Sequence, residues 1–454
     1  MTSNRARMVA TAALLALAAA ACGGGGGGSS SSGGGSSSGT GGSAASGNSS
    51  TVGITATEVT LGSHTPLTGP AAPGYSEIDP SADAYFKFVN AAGGVNGRKI
   101  TLKYLDDAYN PAQTVSVTRQ LVQQDRVAAM FSGLGTPTHT KVLDFLNQSK
   151  VPDLFVSSGA LAWNNVGKYP YTTGFQPDYY REGKILGQYV KQNFSGKKIA
   201  YFSQDDDFGV DGIRGLDTQI DKASVVDRET YQPGNVNVAP QVQKIAAAKP
   251  DVVVLFTIPA YTALFKLNAL KLRYNPTLAV TNVGSDPVTL SGLLEAFAKK
   301  AGATVNGNQL LEGLVSDTYL PPYLGSAASS NTWVQLFKKV HDQYTPNLPF
   351  DGNVMFGMAQ AYTFTQILKN AGKDVTRGSL MTALEKNGLK GPGLVPFAFS
   401  SSDHSGYTGA QIFSVKNGKP VLAGKPSVTD DGTGAITDYT EQPAVTPSNG
   451  IPTG

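Results

Sequence analysis

LGSHTPLTGPAAPGYSEIDPSADAYFKFVNAAGGVNGRKITLKYLDD, running from Leu61 to Asp107, decides how the rest of the 454-residue chain is read. Val59 and Leu61 alternate into a loop of turn formers, Thr65-Pro66-Leu67-Thr68-Gly69. Asp79-Pro80 marks a helix start, because proline suits the first helical position. Ala82, Tyr85, Phe86 and Val89 then recur at helical spacing, and Gly93-Gly94 end the helix. Ile100, Leu102 and Tyr104 alternate as a strand that stops at Asp106-Asp107. A strand–helix–strand unit of this kind builds a parallel sheet.

The same rhythm continues downstream. Pro111 opens a helix, 127–131 is a short apolar strand, and Ser132 to Thr138 form a small-residue loop before another helix. The strand over 151–156 ends at Ser157-Ser158-Gly159. Residues 169–180 lack a clear period and read as a crossover. Further strands are expected over 199–202, 225–226 onward, 252–256, 278–283 and 311–319, with helices over 210–222, 238–248, 261–272 and 289–301 between them. The helices 333–344, 353–370 and 376–387 follow, and 409–422 reads as a hairpin turning at Asn417-Gly418. Small-residue loops at the carboxyl ends of parallel strands are where open α/β sheets bind ligands.

Pro66-Leu67-Thr68-Gly69, the run Asn90-Ala91-Ala92-Gly93-Gly94-Val95-Asn96-Gly97-Arg98-Lys99-Ile100, Asp106-Asp107 and Asn110-Pro111 occur in that order. Together they resemble the opening of the type I periplasmic binding proteins, branched-chain amino acid/amide group. The resemblance covers about residues 53–425. It implies an α/β fold of two Rossmann-like lobes joined by a multi-strand hinge. Lobe 1 is expected from 53–175 plus 319–408, and lobe 2 from 176–318 plus 409–427. The crossovers are placed near 172–178, 316–322 and 405–411.

The resemblance also implies a site. Its first-lobe loops, which hold an amino-acid carboxylate in such proteins, match Leu134, Gly135 and Thr136, then Ser157, Ser158 and Gly159. Its second-lobe aromatic matches Phe208 before Gly209, where the usual tyrosine hydroxyl is absent. The loop that places an acid near a ligand amine reads Thr281-Asn282-Val283-Gly284-Ser285-Asp286, with no glutamate. That departure makes amides and aromatic acids as acceptable as branched-chain amino acids. Tyr75 and Tyr319 are candidate pocket walls, and Thr257 and Asn282 complete the expected set. His64 and His139 sit in strand-end loops, where a polar loop residue is the plainer reading, and Trp163 is a packed loop residue or a flank of the site.

The N-terminal part has a different character. Arg5 and Arg7 precede an apolar run from Val9 to Ala21, and Ala19-Ala20-Ala21 precede Cys22, the single cysteine. Residues 1–22 are expected to be an export signal with Cys22 as a lipidation site, although Leu17 sits earlier than such sites favour. A single cysteine excludes an internal disulfide. Residues 23–52, almost all Gly and Ser in their first part, read as a tether reaching roughly 30 Å. Residues 428–454 are polar and rich in Thr, Pro and Gly, and read as a flexible tail.

Chemistry is bounded by what is missing. There are four histidines, no metal-protease or phosphate-loop motif, and Gly35 to Gly39 match the hydrolase elbow only inside low-complexity sequence. The run Asp205 to Asp207 reads as a polar strand-end loop rather than a metal cluster. A formal charge of +3 with scattered basic residues gives no footprint for nucleic acid. The expectation is a monomeric, non-enzymatic lipoprotein without cofactor or metal. It would be anchored to the outer face of the cell membrane and deliver a small solute to ABC permease subunits. A sensor subunit for a signalling receptor is the alternative, and a secreted hydrolase a remote one.

Overall fold

The opening stretch folds as strand β1 (Glu58–Thr65), the helix Ile78–Ala91 and strand β2 (Lys99–Asp106), with β1 and β2 paired in parallel from Glu58 with Lys99 to Thr65 with Asp106. The helix begins at Ile78, after a separate short turn of helix at Ala72–Tyr75. Asn90 fixes the return: its side chain exchanges two 2.8 Å hydrogen bonds with the backbone of Ile100. Gly94 has φ +73, and a Cβ there would sit 2.1 Å from the carbonyl oxygen of Arg98, so only glycine fits. The structure is a computed structural model that describes residues 45–386 and 388–453. The export signal, Cys22 and the tether up to residue 44 lie outside the described residues.

Two sheets organise the body. The first has the order β2-β1-β3-β4-β5, all parallel, with β3 at Ala129–Phe131, β4 at Asp153–Val156 and β5 at Thr172–Gly174. β5 falls inside the stretch read as an aperiodic crossover, because three residues are too few to show a period. The second sheet is built on β6 (Ile199–Gln204), β7 (Val225–Tyr231), β8 (Val252–Phe256), β9 (Thr277–Val280), β10 (Val315–Thr318) and β11 (Gly409–Lys416). Its order from β11 is β11-β10-β9-β8-β6-β7, with β10 and β11 antiparallel. β10 is shorter than the 311–319 expected, since Gly307–Leu310 is helical and a turn follows. β12 (Lys419–Leu422) pairs with β11 across Asn417-Gly418, both at positive φ.

The chain passes between sheets after Gly174, after Thr318 and again before Gly409. Aromatic rings fill the first lobe, where Phe131 lies against Phe86, Phe155 and Phe364. The helix Gly352–Asn370 packs on Ile78–Ala91 so closely that a Cβ on Gly357 would be 2.2 Å from the Ile78 carbonyl oxygen. In the second lobe the helices Tyr179–Asn193 and Asp207–Leu216 meet through Gly183, Gly212 and Gly215; a Cβ on Gly183 would lie 2.2 Å from the Gly212 oxygen.

Both ends correct the composition-based reading. Residues 45–50, assigned to the tether, dock on the first turn of the helix Arg377–Glu385. Arg377 N donates to Ser50 O and Gly378 N to Asn48 O, so this stretch satisfies N–H groups the helix cannot pair itself. The tail is also held. Strand β13 (Ser427–Val428) pairs with β11 and with β14 (Thr437–Asp438). Lys184, buried in the helix Tyr179–Asn193, donates to the carbonyls of Asp430, Gly432 and Gly434 and to the Asp430 carboxylate. Further on, Trp333 Nε1 donates to Ala444 O and Tyr85 Oη to Gly450 O. A buried ammonium needs acceptors, and this tail supplies them as backbone, which composition does not reveal.

Candidate functional site

The carboxyl ends of the parallel strands of both sheets face one another across a cleft. Its cavity of about 1040 Å³ includes the open mouth. From the first lobe Leu134, Gly135 and Ser157 line it, with Tyr75 above them. From the second lobe come Phe208 and Asn282, and Tyr319 lies where the chain leaves β10. Leu134 and Gly135 are placed by a parallel bridge between Leu134 and Ser157 and by Gly135 N donating to Ser157 O at 3.2 Å.

Four expected contacts stand elsewhere. Thr136 and Ser158 are buried behind the wall, their hydroxyls bonded to each other at 2.7 Å, and the Tyr179 hydroxyl reaches both. Gly159 lies under the Tyr179 ring, where a Cβ would be 2.9 Å from Cδ1. Thr257 turns inward to Thr262 at 2.6 Å. Tyr179 therefore fills the place expected for a ligand on the first-lobe loops. Its ring packs on Phe208 at 4.4 Å between centroids, and burial pushes its hydroxyl up to about 12.

His64 and His139 do not reach the cavity. They form a buried chain in which Asp107 Oδ2 meets His64 Nδ1 at 2.9 Å, His64 Nε2 meets His139 Nδ1 at 2.8 Å, and His139 Nε2 meets Asp153 Oδ2 at 2.8 Å. Gly133 passes over this chain, where a Cβ would be 2.7 Å from His139 Nδ1. The pair thus fixes the loop leading to Leu134. Trp163 packs edge-on to His139 and also stays out of the cavity. Asp206 caps the helix Asp207–Leu216, accepting from Phe208 N, and Asp205 accepts from Gln232. Among the described residues no group of three or more His, Cys, Asp or Glu is placed to hold a metal.

The lobes touch around the rim. Tyr75 Oη donates to Val283 O at 2.7 Å, and Leu161 N donates to Asp211 Oδ2 at 2.9 Å. Two helix N-termini also exchange partners. Asp286 caps the helix Pro287–Lys300 and accepts from Gly352 N at 2.9 Å. Asp351 caps the helix Gly352–Asn370 and accepts from Thr289 Oγ1 at 3.0 Å. Burial, and then the neighbouring Asp351, push the Glu77 carboxyl beside this pair well above the ordinary range.

Sequence reasoning missed an acidic pair. The loop 281–286 has no glutamate, but Glu182 from the helix Tyr179–Asn193 reaches it and accepts from Thr281 Oγ1 and Asn282 N, both at 2.6 Å. Asp317, at the end of β10, lies in the cavity wall beside Glu182. Burial and the adjacent Glu182 push Asp317 well above the ordinary carboxylate range. The available signal was an acid at a strand end inside an expected crossover. Asp286, Tyr109, Gln176 and Met355 also line the cavity.

The sequence model of the periplasmic binding protein family matches residues 58–420, and the chain belongs to this family of extracytoplasmic solute-binding proteins. It is 26% identical to a Leu/Ile/Val-binding protein homolog of Brucella melitensis over 219 residues, which are 45% of this chain and 56% of that protein. It is 24% identical to a Leu/Ile/Val-binding protein of Rhizobium johnstonii over 260 residues, 55% of this chain and 67% of that one. The chain thus spans little more than half the length of the first of these relatives. Among solved structures, a fatty acid ABC transporter substrate-binding protein from Thermomonospora curvata superposes with a TM-score of 0.71 at 21% identity, covering 85% of this chain and 96% of that one. A branched-chain amino acid ABC transporter protein from Thermus thermophilus with bound valine gives 0.70 at 18%, covering 82% and 97%. These likenesses establish the two-lobed fold.

Proposed function

We propose that the chain captures a small solute between its lobes and delivers it to the permease of an ABC importer, without chemistry on the solute. The observation that carries this reading is the cavity at the carboxyl ends of both sheets, closed by hydrogen bonds from one lobe to the other. A ligand that touches both lobes favours the closed form by its differential affinity for it. The mainly aromatic and aliphatic wall suits a solute with an apolar body. The ligand contacts are Leu134, Gly135, Ser157, Tyr75, Phe208, Asn282 and Tyr319. We further propose export, anchorage through a lipidated Cys22, and action as a monomer.

A thermal-shift screen of the purified chain tests this. The panel holds branched-chain amino acids, amides, aromatic acids, amines, fatty acids and sugars. A ligand at a hundred times its dissociation constant stabilises by about 2.7 kcal/mol. Stabilisation by one solute class supports capture. No stabilisation by the panel, together with no small molecule released on denaturing the purified chain, refutes it.

A further inference from the structure

Three carboxyls gather on the rim where the lobes meet. Asp286 comes from the second lobe, Asp351 and Glu77 from the first. Asp286 reaches across, accepting from Tyr323 Oη at 2.6 Å and Gly352 N at 2.9 Å, and also from Thr289 N of its own helix at 2.9 Å. A Cβ on Gly352 would stand 2.7 Å from Asp286 Oδ2, so the glycine is what admits this carboxylate. Asp351 accepts from Asn353 N and Val354 N at 2.9 Å, Thr289 Oγ1 at 3.0 Å and Asn353 Nδ2 at 3.1 Å. Glu77, the residue before the helix Ile78–Ala91, has no such donors. Its side chain makes no cap hydrogen bond, its Oε2 is buried without a donor, and its carboxyl lies against that of Asp351. Among the described residues no Lys, Arg or His forms an ion pair with any of the three.

Two carboxyls in contact repel unless one proton lies between them. Donors already fill the acceptor sites of Asp286 and Asp351, which leaves Glu77 to carry that proton. Burial first, then Asp351 and then Asp286 push the Glu77 carboxyl up to about 9, while burial and then Asp286 push Asp351 up to about 6. The share due to Asp286 exists only with the lobes together, since that carboxylate arrives with the second lobe. Opening removes it and admits water to the rim, and both changes loosen the proton on Glu77. The Tyr323 hydroxyl also faces the cluster; burial, and then Asp286, hold it well above its ordinary value, so it stays a donor. Asp79, the other acid at the start of this helix, faces the Ser63 and Ser132 hydroxyls instead.

We propose that Glu77 carries a proton on which lobe closure depends, so that the cleft closes on its solute in an acidic medium and opens as the medium turns alkaline. This rests on the solute-capture reading and gives it a regulator. Closing takes up as much as one proton, because the closed rim binds that proton more tightly than the open one. An acid raised in the closed form supports closure fully below its open-form value, and the support is lost as pH rises through about 9. Within that window the closed-to-open ratio falls by up to about tenfold per pH unit. Solute affinity falls with it, since a ligand bridging both lobes draws on the same equilibrium.

Small-angle scattering of the full chain, freed of bound solute by unfolding and refolding, tests the proposal at about pH 6 and about pH 9. The parent should show a larger radius of gyration at the higher pH, with the closed-to-open ratio lower by about tenfold or more. Glu77→Gln keeps the shape and the neutrality of the protonated acid, and its amide can donate to Asp351 in the proton's place. It should hold the compact radius at both pH values. Asp79→Asn removes the other raised acid of the same helix and should keep the parent's step. A parent radius that is equal at both pH values, or smaller at the higher one, overturns the proposal. So does a step that persists in Glu77→Gln, which would put the proton on another group, and so does its loss in Asp79→Asn. No solute enters the measurement, so its failure removes only the proton linkage, whereas the capture reading stands or falls with the thermal-shift screen.

Discussion

Replacing Thr289 by Val separates lobe closure from ligand contact. Thr289 belongs to the first turn of the second-lobe helix Pro287–Lys300 and is not part of the cavity wall. Its Oγ1 donates to Asp351 Oδ2 at 3.0 Å and accepts from Asn353 Nδ2 at 3.3 Å, and both partners belong to the first lobe. Valine keeps the branched shape and removes both bonds. A hydrogen bond to a carboxylate contributes about 1.5–3 kcal/mol. Thr289 is half-buried, which brings the net loss to about 1–2 kcal/mol. These bonds exist only while the lobes touch, so the loss falls on the open–closed equilibrium. Ligand affinity should drop by about 5–30-fold. Small-angle scattering of the ligand-free chain should show a larger radius of gyration, and calorimetry the weaker binding. An affinity within about twofold of the parent, with unchanged scattering, would refute the closure argument.

Other outcomes follow from buried groups away from the rim. Asp79 is fully buried, which pushes its carboxyl up to about 7, only partly offset by the nearby Ser63 and Ser132 hydroxyls. A raised acid favours the protonated folded form, so its contribution is full below the unfolded value near 3.8 and is lost as pH rises toward about 7. At 1.36 kcal/mol per unit the ceiling is about 4 kcal/mol, and Asp79→Asn should match the parent at pH 4 and exceed its stability at pH 8; a denaturant series giving the same difference at both pH values sinks this. Lys184→Met, read by hydrogen exchange, should release protection across 429–438, since the four acceptors around the ammonium lose their donor; unchanged protection there means the tail is held by other contacts. His139→Ala removes one partner each from Asp153 and His64, which keep Thr172 and Asp107, and leaves a cavity where the ring was; it should cost about 2–4 kcal/mol of stability, with a loss below about 1 kcal/mol telling against the buried chain. Gly183→Ala places a methyl 2.2 Å from the Gly212 oxygen and should lower stability by about 2 kcal/mol or more, measured by urea unfolding, whereas a neutral effect would mean the two helices separate easily.

The fold was legible because its signals are local. The 3.6-residue spacing of Ala82, Tyr85, Phe86 and Val89, the glycines at 93 and 94 and the alternation into Ile100 each depend on neighbours in sequence, and each element appears within a residue or two. Short strands such as Thr172–Gly174 carry too few residues to show a period. The site was legible only in part. Leu134, Gly135, Ser157 and Phe208 line the cavity because strand ends project loops into the cleft. Thr136, Ser158 and Gly159 share those loops, yet their neighbours are claimed by Tyr179, a residue the loops themselves do not announce.

From the sequence alone came the alternating strands and helices, the two-lobed α/β fold through its family resemblance, and the loops that converge on the cleft. These follow from periodicity and turn chemistry, which act over a few residues. The tertiary structure alone decided that Glu182, Asp317 and Asn282 meet, that two histidines far apart in sequence share one buried chain, and that a polar tail cages Lys184. The reason is physical: a carboxyl, an imidazole or an ammonium taken from water needs partners at hydrogen-bond distance, and only the packed chain determines which groups stand there.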